Sequence, residues 1–220
     1  MSAKARRCES TKENNKGINP LATVLTSAYL APVSYYRQMA GSEKVIVEQH
    51  DHYLKQTYRN RCRIATANGV IDLSIPVRKS EPKCKMKDIR IAYSDNWQQI
   101  HWRAIESAYN SSPFFEYYRD YFEPFFLTKR EFLIDLNNAL QAKILDLIDI
   151  FIPITCTDEY KHPNDETEAD FRDFFHPKKE YPGDLKPYYQ VFQQKFGFQR
   201  DLSILDLLFN MGNEAVFLLE

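Results

Sequence analysis

The sequence predicts an α/β protein: a mixed sheet from an N-terminal strand–short helix–strand unit and a β-hairpin, covered by C-terminal helices. Three observations carry this. Leu25 to Val47 reads as two apolar, β-branched runs around a short aromatic helix, the pattern of a parallel strand pair. Asn68-Gly69 lies between two alternating runs, a strong hairpin signal. From Trp97 onward apolar residues recur at helical rather than strand spacing.

The elements follow in order. Residues 1–20 are polar and aperiodic and are expected to be a disordered lead-in to a single domain over residues 21–220. Thr23 to Leu30 opens the structure, Pro32 ends that run, Val33 to Ala40 is a short helix, and Gly41 stops it. Lys44 to Glu48 reads as a buried strand. With Asn68-Gly69 as a two-residue loop, Ile64 faces Leu73, Cys62 faces Ile75 and Asn60 faces Val77 on an apolar face. That register sends Arg59, Arg61 and Arg63 to the opposite face, outside the core. Asp88 to Tyr93 reads as a further strand.

A helix is expected from Trp97 to about Tyr109, with Trp97, Ile100, Ala104, Ile105 and Ala108 as its apolar stripe and His101 beside it. Phe114 to Phe126 is aromatic throughout. Thr128-x-x-Glu131 has the spacing of a capping box for a helix carrying Phe132, Leu136, Leu140, Ile144 and Leu147. Residues 157–187 form an acidic, proline-rich arm expected to have little regular structure and to fold over the body. Ser203-x-x-Asp206 starts a last apolar helix that Gly212 stops, and a short helix holds Val216 to Leu219.

Composition bounds the function. The 220 residues carry 29 Lys and Arg against 30 Asp and Glu, so no global field steers the chain toward nucleic acid, and no nucleic-acid motif is present. The charge is uneven, however. Lys55 to Arg90 holds ten basic and three acidic residues, whereas Cys156 to Glu220 holds seven basic and thirteen acidic ones. Either the two regions attract and pack, or the basic region binds an anion. The four cysteines show no C-x-x-C spacing and fit a reducing cytoplasm. No apolar run is long enough to span a bilayer, and no signal peptide follows the basic N-terminus, so a cytoplasmic location is expected.

The candidate chemistry centres on Tyr53 to Arg63. Lys55, Arg59, Arg61 and Arg63 could hold phosphate or carboxylate groups, with Tyr53 and Tyr58 stacking beside them and Asn60 in the same run; a salt-bridge network is the competing reading. His50-x-His52 could supply two metal ligands, but no third has convincing spacing, and polar lining at a strand end fits His50 better. His101 and Glu106, near Trp102 and Tyr109, suggest acid/base chemistry, although positions five apart diverge around a helix. Six glycines and no phosphate-loop motif exclude a glycine-rich nucleotide cradle.

Several of these pieces together resemble the WbqC-like family. They are Tyr29-x-x-Pro32 with Tyr35-Tyr36, the run Tyr53-x-Lys55-x-x-Tyr58-Arg59-Asn60-Arg61-Cys62-Arg63-Ile64, Trp97-x-x-x-His101-Trp102-Arg103-Ala104-Ile105-Glu106-x-Ala108-Tyr109, Ser112-Pro113-Phe114-Phe115, and Leu202 to Asn210. The resemblance implies association with O-antigen and other surface-polysaccharide clusters. It suggests a cytoplasmic transferase of aminoacyl or glycosyl type that uses an anionic activated donor. On that reading a nucleotide or nucleotide-sugar binds Lys55, Arg59 and Arg61, His101 and Glu106 are catalytic, and Tyr29, His50, Tyr53, Asn60, Trp102 and Tyr109 line the cleft. The alternative is a module that binds a nucleotide, nucleotide-sugar or partner without chemistry.

Overall fold

The computed structural model describes residues 22–162 and 168–220, so the expected lead-in lies outside the described residues. Strand β1 (Ala22–Thr26), helix α1 (Val33–Ala40) and strand β2 (Val45–Glu48) form the expected parallel unit, with Thr23 opposite Val45 and Thr26 opposite Glu48. Both strands are buried throughout, as parallel strands require, and Leu25, Val45 and Val47 face the main core. The capping of α1 comes from far away. Pro32 offers no side-chain cap, and the Asp201 carboxylate instead accepts from the Ser34 N–H and Ser34 Oγ, each at 2.9 Å.

The hairpin pairs β3 (Arg61–Thr66) with β4 (Gly69–Ser74) as a sheet of its own beside the parallel one. Its faces are the expected ones, with Cys62, Ile64, Leu73 and Ile75 buried. Its register is shifted by two residues: Cys62 faces Leu73 and Arg63 faces Asp72. A type I′ loop needs positive φ at both central residues, but here only Gly69 has it, at 108°. The loop is therefore Ala67-Asn68, closed by the glycine. Arg59 also departs from expectation. It precedes the strand, in a turning stretch where alternation does not apply, and it is 2% exposed rather than on an open face.

Met86–Asp88 is a 3₁₀ turn, and the expected strand after it is reduced to single bridges, Val77 with Ile91 and Arg90 with Phe132. Helix α2 (Trp97–Tyr109) has the expected bounds but a rotated face: His101 and Trp102 are buried, whereas Ile100 is 59% exposed. Trp102 stacks on Phe126 of α3 (Phe115–Leu127), an aromatic contact that outweighs burial of one isoleucine. Thr128 ends α3 rather than opening the next helix, α4 (Leu133–Leu147).

Beyond α4 the chain returns to the sheet. Strand β5 (Ile154–Cys156) pairs with β2, and β6 (Glu168–Asp170), inside the acidic arm, pairs with β1. The four strands run parallel in the order β5-β2-β1-β6. Past β6, Phe171, Phe174 and Phe175 cluster, and Phe175 meets Tyr35 of α1 edge-on. A four-residue helix α5 (Gln193–Phe196) follows, then α6 (Ile204–Met211), capped by Ser203, and α7 (Ala215–Leu219). No helix among the described residues is long and apolar enough to cross a membrane.

Candidate functional site

An open parallel sheet concentrates its loops at the carboxyl ends of its strands, and ligands bind in the crevice where connections diverge to either side. Here β1 is followed by β2 on one side and flanked by β6 on the other, so the crevice lies beyond Thr26, Glu48 and Asp170. Glu48 is completely buried there. Its Oε1 accepts from the His50 N–H at 2.6 Å and the Thr157 hydroxyl at 3.0 Å, and its Oε2 from the Lys161 N–H at 2.7 Å. Arg172 is held by both oxygens of Asp170, donates to the Lys161 carbonyl at 2.8 Å and covers the Tyr160 ring at 5.2 Å. Its hydrogen bonds hold the Asp170 carboxyl below the usual range.

Arg59 closes this layer. Its Nη2 lies 2.7 Å from Asp51, just past β2, and 3.5 Å from Asp173 of the arm, while its Nε is buried without a partner among the described residues. Asp51, Tyr160, Asp170, Arg172, Asp173 and Lys179 line a cavity of about 720 Å³ above it. A second cavity of about 540 Å³ lies between the hairpin and the arm. Tyr58, Arg63, Lys178, Lys179, Tyr181 and Arg200 line it, with Glu180 and Asp201 as its carboxylates. Lys179 and Glu180 belong to both cavities and form the ridge between them. Because Asp201 is spent on Ser34, the second cavity has four cations facing one uncommitted carboxylate. Burial pushes the Tyr58 hydroxyl up to about 12, so it is a neutral donor there.

The residues expected to form one site are dispersed. Tyr29 and His101 are buried against each other in the core. Glu106 pairs with Arg119 at 3.3 Å, away from His101. Trp102 is stacked in the core, and the buried Tyr109 packs on Phe209 with its hydroxyl near Asp206 but in no hydrogen bond of good geometry. His50 is buried with Nδ1 unpartnered among the described residues, Tyr53 is half-buried with its hydroxyl pushed up to about 12 by burial, and Lys55 is exposed. Asn60 donates to the Ile75 carbonyl, and Arg61 is held by Asp72 at 2.8 Å and Ser74 at 3.0 Å. None of these lines either cavity, although Arg59 holds two side chains that do. Two residues of the basic run, Tyr58 and Arg63, reach the second cavity; Lys178, Lys179 and Arg200 gave no signal beyond their charge.

The comparisons agree with the pattern of motifs. The family model described as "WbqC-like protein family" matches residues 27–180. The chain is similar to "Uncharacterized protein Rv1507c" of Mycobacterium tuberculosis, 26% identical over 223 residues, spanning 87% of this chain and 94% of that protein. No solved structure matches the chain. The family match runs from Ser27, just past β1, to Glu180 on the ridge between the cavities, leaving Tyr181, Arg200 and Asp201 of the second cavity outside it, and the chain belongs to the WbqC-like protein family.

Proposed function

We propose that this protein is a transferase that takes an anionic activated donor, a nucleotide or nucleotide-sugar, in the cleft between hairpin and arm. The observation that carries the reading is the lining of that cleft by Arg63, Lys178, Lys179 and Arg200 between Tyr58 and Tyr181. At about 540 Å³ it has the size of a small-ligand site. Guanidiniums suit phosphate oxygens, and tyrosines offer flat apolar faces to a base or sugar ring. This moves the donor from Lys55, Arg59 and Arg61 to Arg63 and the arm, since Arg59 and Arg61 hold carboxylates at 2.7 and 2.8 Å whereas Arg63 meets Asp72 only at 3.8 Å. Glu180, exposed on the ridge, is the group placed to take a proton from an acceptor's hydroxyl or amine, in preference to the buried His101. The family resemblance supports surface-polysaccharide assembly as the setting.

The test is a thermal-shift screen with nucleotides and nucleotide-sugars on the full chain. At least one should raise the melting temperature, and Arg63→Glu combined with Arg200→Glu should abolish the rise. No response to any donor, or an undiminished response in the double variant, overturns the reading. The alternative, a binding module without chemistry, draws on the separation of His101 from Glu106. It predicts binding with no donor turnover, and no change in either for Glu180→Gln.

A further inference from the structure

The unusual feature beyond the donor cleft is Arg59. Its side chain is 3% exposed, yet the structure commits only one of its nitrogens. Both ion pairs run through Nη2, and the buried Nε has no acceptor among the described residues. A buried guanidinium is retained at a cost unless its donors are met, so an unmet Nε beside a large cavity needs an explanation. The two carboxylates also differ. Asp51 sits 2.7 Å away with its side chain 21% exposed, whereas Asp173 is at 3.5 Å and 74% exposed. Asp51 is thus a built-in partner, and Asp173 is a loose one that returns to water at little cost. Both line the larger cavity.

We infer that Asp173 stands in for the oxyanion of a ligand, and that the larger cavity binds a small carboxylate- or phosphate-bearing molecule through Arg59 once Asp173 swings out. Nε and Nη2 share one edge of the guanidinium, the edge a two-oxygen anion grips side-on. Of the other charges in that cavity, Asp170 is neutralised by Arg172, which leaves Lys179 to attract and Glu180 to oppose the incoming anion. Lys179 and Glu180 border both cavities, but the anchors differ, Arg59 here and Arg63 with Arg200 in the donor cleft, so either can fail without the other.

Inorganic phosphate and malonate are the probes, titrated separately into the full chain at constant ionic strength and followed by calorimetry. Asp173→Asn should tighten binding of at least one probe about three- to fivefold, the upper range for one exposed ion pair. Glu180→Gln, which removes one negative charge from the same cavity without touching Arg59, should change it less than about twofold. Arg59→Gln should abolish binding, and Arg63→Glu with Arg200→Glu should leave it intact. Response to phosphate alone or malonate alone would name the ligand class. The proposal is overturned if neither probe binds, if Glu180→Gln tightens binding as much as Asp173→Asn, or if the donor-cleft double variant removes it. Should Arg59→Gln fail to fold, the contrast between the Asp173 and Glu180 variants still decides.

Discussion

Tyr29 and His101, 72 positions apart in sequence, share a buried hydrogen bond of 2.9 Å between the tyrosine hydroxyl and Nδ1. Trp97 stands edge-on to the imidazole at 5.1 Å. The pair ties the segment after β1 to α2 inside the core. Tyr29→Phe should therefore lower stability by about 1–2 kcal/mol, the cost of one orphaned buried partner, read as a shift in urea midpoint. Donor-induced thermal shifts should persist. If stability is unchanged while the donor response or turnover disappears, His101 belongs to the chemistry after all.

The arginines at 59 and 61 should separate cleanly. Arg59→Ala removes a buried cation from Asp51 and should cost about 2–4 kcal/mol. Arg61 meets Asp72, whose side chain is 41% exposed, so Arg61→Ala should cost less than about 1 kcal/mol. Equal losses in denaturant titrations would contradict the difference in burial between the two ion pairs.

Two buried groups set opposing pH slopes. Burial lowers the His101 pKa to about 4, with the Ser74 backbone offsetting part of the shift. The unfolded chain takes up that proton first, so His101 withdraws stability as pH falls from about 6.5 toward 4. Burial raises Asp206 to about 6, against hydrogen bonds from Tyr188 and Gln190. The native state keeps a proton that the unfolded state has lost, so Asp206 withdraws stability as pH rises from about 4 to 6. Asp206→Asn removes the second slope. Its stability should drop more steeply on acidification between pH 6 and 4, by up to about 1.4 kcal/mol per pH unit. Parallel wild-type and variant profiles would falsify the compensation.

Two glycines with positive φ offer a graded comparison. Gly197, at φ 70°, has nothing within 4 Å of an added Cβ, so Gly197→Ala should cost only the backbone strain, about 1–3 kcal/mol. Gly212, at φ 58°, would place its Cβ 2.9 Å from the Phe114 ring. Gly212→Ala should exceed the Gly197→Ala loss in the same thermal melts; equal losses would mean that Phe114 yields freely.

Much of the fold was legible because its signals are local. The β1-α1-β2 unit, the bounds of α2 and the Ser203 cap of α6 each follow from runs, caps and periodicity within a few turns. β6 was not, because Glu-Ala-Asp has no strand propensity and exists as a strand only through its pairing with β1. The rotation of α2 was hidden for a related reason: Trp102 finds Phe126 only in three dimensions. At the proposed cleft, the basic run contributes only Tyr58 and Arg63. It misplaced Arg59 because alternation was extended one turn beyond the strand. Lys178 and Lys179 lay unnoticed in a stretch whose net charge is acidic, and only the return of the arm across the sheet brings them to Arg63.

The register of Ala22 with Glu168 also sets the order in which the chain can mature. As it leaves the ribosome, β1 can join β2 at once, but its other edge waits for a strand more than half the chain away. At roughly 5–20 residues per second that wait is on the order of ten seconds. Throughout it the nascent chain presents an unpaired parallel edge, the kind of template that recruits wrong partners. The arm is thus also a late clasp, and nascent chains stalled before residue 168 should be held by chaperones far longer than those stalled after residue 180.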